Sequence, residues 1–289
     1  MAVRAFSGAN NVGIDVAPGA LANHDGGPTT LLFIVKPTAV SNQGLINARE
    51  SGSRKWSMNN FSDGLIYYEN VGAGFCSSNT VGWNATDGWR LLGVTKANGS
   101  AVARWHGYKF SIGAASWVHV NTSSGSVGDA SLSTGIDAIG LGYLDNDEVL
   151  NGRLAVAGAW KSVLTDLDIE GLTASLADWV DLSPDALWPF NQASTSDPVL
   201  DITGGGADQV AINGTSVVTG DDPPGFDFSL TADVTATDAN HEAVTLGESP
   251  IVTVDIQGPV PLIPSIFVNI KPANLAVEVP IYQTAVNLR

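Results

Sequence analysis

From the N-terminus to about residue 160, short apolar or alternating runs are separated by clusters of turn-forming residues. Each run has the length of a strand, and the clusters are rich in Gly, Asn, Asp and Ser, which favour turns. Regular short strands with this spacing are typical of a two-sheet sandwich or jelly roll. The predicted strands are Thr30–Val35, Gly64–Glu69, Trp89–Thr95, Ala101–Trp105, Trp117–Asn121, Ala138–Tyr143 and Leu154–Trp160.

One later segment has the period of a helix instead of a strand. Its apolar residues at helical spacing are Ile169, Leu172, Leu176 and Trp179. Thr165 followed by Asp168 resembles a capping box with Asp in place of Glu, and Pro184 is a stop signal. The pattern predicts one amphipathic helix over 166–180, laid against the sandwich.

The remaining third of the chain consists of two segments of different composition. Residues 191–230 are polar and rich in Gly and Asp, which predicts a wrapping segment and linker. In 231–289, prolines interrupt short β-branched runs that make a poor core of their own. This region is predicted to be an assembly arm that pairs with a sheet edge of another subunit, the alternative being a small independent β domain. The candidate assembly residues are Ile251, Val254, Ile266, Val268, Val277 and Tyr282.

Charge is sparse and unevenly placed. The chain has 289 residues and a formal net charge of −16, and residues 162–270 contain 17 acidic side chains and no Lys or Arg. Such a field repels phosphate backbones, so nucleic acid is excluded as an expected partner. It suits solubility, cation binding or a basic protein partner.

Cysteine content and hydropathy constrain the cellular setting. Cys76 is the single cysteine, so no intrachain disulfide is expected. The first residues lack the charged and apolar regions of a signal peptide, and no apolar stretch reaches the length of a membrane span. We therefore expect synthesis in a cytoplasm, without membrane insertion.

The order of these features resembles a laminin-G-like, concanavalin-A-type jelly roll over residues 1–190. Val3–Val16 is similar to the family's first strand and turn, and Thr30–Lys36 to the strand that follows. Asn151–Leu172 resembles the closing strand that runs into a short helix. The segment from Trp188 to Phe226, which ends in the sequence Asp-Pro-Pro-Gly-Phe, is similar to tailed-bacteriophage virion proteins that carry this domain.

The motifs of several enzyme classes are missing from the sequence. The glutamates are scattered, with no paired-carboxylate strand pattern of the kind that related glucanases use. No nucleophile elbow, phosphate-binding loop or His/Cys zinc cluster is present. We therefore expect a protein that is not an enzyme.

Two binding sites remain as candidates. The acidic loop with Asp145, Asp147 and Glu148 offers the oxygen ligands that calcium prefers, and laminin-G-like domains often hold calcium at a loop rim, although a solvated turn is the simpler interpretation. Calcium is the one cofactor considered. The second candidate is glycan binding by aromatic side chains on or beside loops, because such rings stack on sugar faces. Its residues are Trp83, Trp89, Trp105 and Tyr108.

The sequence thus predicts an all-β protein. It favours a non-enzymatic structural protein of a virion, displayed on the particle surface as a minor tail or capsid-decorating protein. Its expected partners are other virion proteins, further copies of itself and a host-surface polysaccharide. The alternative is a glycan-binding adhesin or lectin that is not built into a particle, and a polysaccharide hydrolase ranks last.

Overall fold

The computed structural model describes residues 2–24, 28–70, 74–82, 88–97, 102–126, 135–144, 148–230, 234–237, 243–246 and 268–269. The chain divides into two compact units, Met1–Ser229 and Leu230–Arg289. In the first unit the strands are β1 (Ala2–Ser7), β2 (Gly13–Val16), β3 (Thr29–Pro37), β4 (Gln43–Glu50), β5 (Ser53–Asn60), β6 (Leu65–Asn70), β7 (Gly74–Gly82), β8 (Arg90–Lys96), β9 (Val102–Ser111), β10 (Ser116–Ser126), β11 (Ala138–Leu141), β12 (Asn151–Trp160), β13 (Ala186–Pro189), β14 (Gln209–Asn213) and β15 (Ser216–Thr219). The helices are α1 (Asp166–Gly171) and α2 (Leu176–Asp181), and Gly19–Leu21 forms a 3-10 turn.

These strands form two antiparallel sheets. Sheet A has the order β10-β9-β8-β3-β12-β1-β15, with β13 also paired to β12, and sheet B has the order β14-β2-β11-β4-β5-β6-β7. Most neighbours in sheet A are distant in sequence, as in the pairing of β1 with β12 and β15. The first unit is therefore a two-sheet antiparallel jelly-roll sandwich, as the sequence predicts.

The sandwich has apolar layers on both faces of sheet A. Between the sheets, β3 contributes Leu31, Phe33 and Val35 to the main core. On the opposite face, Leu32 and Ile34 belong to a second buried cluster. That outer cluster is covered by both helices and by the segment that carries Phe226 and Phe228, so sheet A is a buried middle layer along much of its width.

The predicted single helix is wrong, because the segment forms two short helices. Its four apolar residues at helical spacing are buried as expected. However, Ser175 is extended and its side chain accepts the Asp178 backbone N–H, which starts a second helix. The linker between the helices bonds to the later chain, with the Leu176 N–H donating to the Asp227 oxygen at 2.7 Å and the Asp227 N–H to the Ala174 oxygen at 2.9 Å. The predicted capping box at Thr165 is confirmed.

The sequence missed strands β4, β5 and β7, because their polar residues look like turns. The segment around Ser51 and Gly52 is the tight turn between β4 and β5, and both residues have positive φ, 51° and 78°. Asn98 and Gly99, a pair typical of tight hairpin turns, lie outside the described residues, but β8 and β9 on either side of them pair antiparallel.

Residues 191–230 complete the sandwich. Strand β14 adds to the edge of sheet B and β15 to the edge of sheet A. Beyond β15, Asp221 pairs with Lys36 at 2.7 Å and with Arg153. The predicted wrapping segment thus also provides edge strands to both sheets.

The second unit contains a small antiparallel sheet of three strands, β16 (Val234–Thr237), β17 (Ala243–Leu246) and β18 (Val268–Asn269). Val268 lies in β18 and pairs with Ala236. The other candidate assembly residues, Ile251, Val254, Ile266, Val277 and Tyr282, lie outside the described residues. Assembly through this region stays a prediction.

Within the sandwich, the connection from β11 to β12 crosses closely over Gly44 on β4. The Gly44 N–H donates to the Glu148 oxygen at 3.0 Å. A Cβ at this position would lie 2.0 Å from both the Leu144 nitrogen and the Tyr143 carbonyl carbon, so backbone would have to move.

We expect Gly44→Ala to lower the free energy of unfolding by roughly 1–3 kcal/mol or more, as overpacking does. Chemical denaturation followed by tryptophan fluorescence measures the change. Gly113→Ala is the control, because a Cβ there would meet nothing within 4 Å. Equal stability of the two variants would contradict the close crossing.

Candidate functional site

Four aromatic side chains lie side by side on the outer face of sheet A, at its β9–β10 edge. Tyr108 and Phe110 come from β9, and Trp117 and His119 from β10. The register places Trp117 opposite Phe110 and His119 opposite Tyr108. The ring centroids are 6.1 Å apart in the first pair and 5.0 Å apart in the second. We call these four residues the aromatic edge.

The aromatic edge is partly open to solvent. His119 is exposed, Phe110 and Trp117 are half-buried, and Tyr108 is 6% exposed. Tyr108 belongs to the outer apolar cluster, and Trp117 packs against it. The Trp117 indole N–H donates to the Pro224 oxygen at 3.1 Å, which fixes the ring in the folded chain. The edge therefore presents aromatic surface in a fixed orientation.

Charged groups lie at one end of the aromatic edge. Asp166, the first residue of α1, forms an ion pair with Arg104 on β9. Glu170 lies one turn further along the same helix and is exposed. Both carboxylates, together with burial, raise the pKa of the Tyr108 phenol, burial being the largest cause. Tyr108 thus lies close to two carboxylates and a guanidinium, whereas Phe110 and Trp117 lie further along β9 and β10, away from Arg104.

His106 lies beneath this arrangement, on β9 between Arg104 and Tyr108. Its side chain is 1% exposed, and its Nε2 is 3.0 Å from the Thr95 hydroxyl oxygen. Its Nδ1 is 3.6 Å from an Asp166 carboxylate oxygen. Burial lowers the pKa of His106 to about 4, although the Asp166 charge acts in the opposite direction. His106 is therefore a neutral, structural imidazole at pH 7.

The three residues predicted to bind glycan that the structure describes are all buried. Trp105 is fully buried between the sheets, and Trp89 is 4% exposed within the outer cluster. A buried indole has no face for a sugar to stack on, so the structure corrects the expectation that these two rings lie open. Trp83 lies outside the described residues. Tyr108 belongs to the aromatic edge but is only 6% exposed, so the more open rings of that edge are those of Phe110, Trp117 and His119.

The predicted calcium loop is described only in part. Asp145 and Asp147 lie outside the described residues. The Glu148 carboxylate accepts a hydrogen bond from the Asn42 amide at 3.4 Å. In the described part of the chain, no three His, Cys, Asp or Glu side chains are grouped closely enough to hold a metal. Calcium binding stays a prediction.

Sequence reasoning missed Phe110, Trp117 and His119 as one group. The alternation of Trp117, Val118 and His119 places the ring of Trp117 and that of His119 on the same face of a strand. What the sequence lacks is the register with β9, because pairing depends on the hairpin between the strands. The pairing is what brings these rings beside Tyr108.

Comparisons with known proteins give a fold-level likeness. No family model matches the chain, and no curated protein does. Among solved structures, a heptameric SAP-like pentraxin from Limulus polyphemus is similar at 12% identity and a TM-score of 0.37, over 58% of this chain and 79% of that one. Domains LG4-5 of the mouse laminin alpha1 chain are similar at 7% identity and a TM-score of 0.45, over 81% of this chain and 51% of that one. A Trypanosoma rangeli sialidase is similar at 12% identity and a TM-score of 0.35, over 50% of this chain and 22% of that one.

The fold assignment rests on the sheet topology described above. The chain spans about half of the laminin chain and less than a quarter of the sialidase. In the described residues, no helix is both long and apolar enough to cross a membrane.

Burial of His106 predicts a pH-dependent stability. Because its folded-state pKa lies below the usual value near 6.5, protonation favours the unfolded chain. The contribution of the neutral His106 to the free energy of unfolding is fully present above pH 6.5. It is lost as the pH falls towards 4, by roughly 3 kcal/mol in total. We expect His106→Gln to flatten this part of the curve of unfolding free energy against pH. His119→Gln is the comparison variant: it removes an exposed imidazole whose charge is the smallest cause of the lowered pKa of His106, so it should keep most of this pH dependence. Identical curves for wild type and His106→Gln would refute the assignment.

Proposed function

We propose that the sandwich is a non-enzymatic glycan-binding domain that binds through the aromatic edge. The observation that carries the proposal is the pair of cross-strand ring contacts at the β9–β10 edge of sheet A, with Arg104, Asp166 and Glu170 near its Tyr108 end. Rigid aromatic side chains provide a large contact area at low entropic cost. A few polar groups placed beside that area then fix the orientation of a ligand.

The chemistry of a sugar ring fits this surface. The C–H face of a pyranose is apolar and stacks on a half-buried indole such as Trp117. Hydroxyl groups of a neighbouring unit in the same polysaccharide, nearer Tyr108, would donate to carboxylates such as Asp166 and Glu170 and accept from Arg104. The local charge of these three side chains is −1, which favours neutral over acidic sugars. We therefore expect neutral polysaccharide as the ligand class.

The surroundings of the two carboxylates support binding without hydrolysis. A glycosidase acid is enclosed in an apolar pocket that keeps it protonated, and its partner carboxylate lies across the scissile bond. Asp166 and Glu170 instead lie on one face of one short helix, both open to solvent. Asp166 is also engaged by the Arg104 guanidinium. These features suit a lectin-type surface.

We expect Trp117→Ala to weaken binding to a neutral polysaccharide roughly tenfold or more. Tenfold is about 1.4 kcal/mol, which is within the contribution of burying one aromatic side chain. A glycan array with the full chain identifies the ligand, and calorimetry then gives Kd for each variant.

The comparison variants separate stacking from folding. Trp117→Phe keeps a ring and should retain most of the affinity. Tyr67→Ala removes a half-buried ring from sheet B and should leave Kd unchanged. Equal affinities of Trp117→Ala and wild type, or an equal loss in Tyr67→Ala, would refute the assignment to the aromatic edge.

We further propose that the domain is displayed on a phage particle, on either the tail or the capsid, with residues 231–289 as the assembly arm. Two observations support this setting. The sequence from Trp188 to Phe226 resembles virion proteins that carry such a domain, and the chain from Leu230 onwards forms a unit separate from the sandwich. The alternative, an adhesin that is not built into a particle, shares the same binding surface.

Deletion of 231–289 tests the arm. We expect the full chain to self-associate and residues 1–230 to be a folded monomer, as measured by light scattering and thermal unfolding. This boundary retains Phe226 and Phe228, which are 8% and 4% exposed in the outer cluster. A monomeric full chain would contradict the prediction that residues 231–289 mediate assembly.

Gold-labelled antibody to residues 1–225 should bind to phage particles from the source. Particles without label would contradict display on the particle surface.

A further inference from the structure

A second surface lies on the outer face of sheet B, away from the aromatic edge. There β2 and β11 place Gly13 and Gly140 next to each other, and the ring of Tyr143 lies over both. A Cβ at Gly13 would be 2.3 Å from the ring, and one at Gly140 would be 2.5 Å from it. The two glycines therefore form a shallow trough that the tyrosine ring fills.

The Tyr143 hydroxyl holds two charged side chains in place. It donates to an Asp15 carboxylate oxygen and accepts from the Arg49 guanidinium. Arg49 and Asp15 also pair directly, with 2.6 Å between Nη2 and Oδ1. Burial and the hydrogen bond to Asp15 raise the pKa of the Tyr143 phenol, so the hydroxyl stays protonated. The three groups form a preorganised set with one orientation.

Beside this set is a cleft of about 300 Å³. Its lining combines small and apolar residues with charged ones, and Val210 among them is 72% exposed. The Asp137 carboxylate lines the same cleft and accepts the Ser51 backbone N–H at 2.6 Å. The residues lining the cleft are Asp15, Val16, Arg49, Gly52, Asp137, Ala138, Val210 and Ala211. The volume is at the small end of the range for ligand pockets.

The charge in the cleft is not balanced. Arg49 offsets Asp15, whereas no Lys or Arg of the described residues lies within ion-pair distance of Asp137. The local net charge is therefore −1, in a protein whose total is −16. Such a field draws cations towards the surface and raises their association rate. A cleft with apolar lining residues and an unbalanced carboxylate matches a side chain that has an aliphatic stem and a cationic head.

We propose that this cleft binds a lysine or arginine side chain of a basic protein partner. The aliphatic stem lies along Val210 and Ala211, and the ammonium or guanidinium group meets the carboxylates of Asp137 and Asp15. Charge-assisted hydrogen bonds of this kind are roughly twice as strong as neutral ones. The site is independent of glycan binding, since it lies on the other sheet.

The test uses the full chain and three small probes: N-acetyl-argininamide, N-acetyl-lysinamide and the uncharged N-acetyl-norleucinamide. We expect saturable chemical-shift changes with at least one of the two cationic probes and none with the norleucine derivative. Asp137→Asn should weaken that binding at least tenfold, and raising the salt concentration should weaken it further. Asp181→Asn is the matched control. Asp181 is an exposed residue of α2, which packs on sheet A, away from the cleft on sheet B.

Three results would overturn the proposal. They are no saturable binding of either cationic probe, equal binding of the norleucine derivative, and an equal loss of affinity in Asp137→Asn and Asp181→Asn. The last of these would mean that total charge, and not the cleft, attracts the probe. Circular dichroism of each variant establishes that a loss of binding is not a loss of fold.

Discussion

The structure depends on the need to cover sheet A on both faces. Strand β3 carries large apolar side chains on each side, so one face closes on sheet B and the other requires a further layer. The two helices and the segment with Phe226 and Phe228 provide that layer. Without it, the side chains of Leu32, Ile34 and Trp160 would be exposed, at a cost of roughly 1.5–3 kcal/mol for each large side chain.

The position of the aromatic edge follows from the limits of this layer. Tyr108 is covered, Trp117 is half covered, and His119 on the outermost strand is exposed. The edge is thus where a buried apolar face passes into solvent, and that transition leaves partly open rings, with the charged groups of α1 near the Tyr108 end. Sheet B meets solvent in a different way, with glycines and ion pairs on its outer face. The two faces of one sandwich therefore suit ligands of different chemistry.

The sequence predicted the fold class better than the site, for a physical reason. The strands with apolar or alternating runs and the capping box at Thr165 depend on local patterns, and these were confirmed, whereas the more polar strands β4, β5 and β7 were missed. Whether an aromatic side chain is exposed depends on which face of the sheet it lies on and whether that face is buried. Sheet A is apolar on both sides, so alternation could not show that Trp105 points to the main core and Tyr108 to the outer face. Their odd separation along β9 places them on opposite faces.

The broken helix has a similar origin. Its apolar spacing is continuous, but the backbone groups of Ala174 and Leu176 bond to Asp227, some fifty residues later. No local pattern contains that partner. In the same way, polar strands such as β5 are recognised by their neighbours in the sheet and not by their own composition.

The pairing of β1 with β12 and β15 has a consequence for biosynthesis. During synthesis, β1 waits for partners that are made about 150 and more than 200 residues later. Such distant contacts slow folding, because the chain must close large loops before it gains their energy. The sandwich therefore cannot close both sheets until β14 and β15 have emerged. A nascent chain that stalls before residue 209 would leave β1 and β2 without their last neighbours, as open edges of the kind that chaperones recognise or that aggregate.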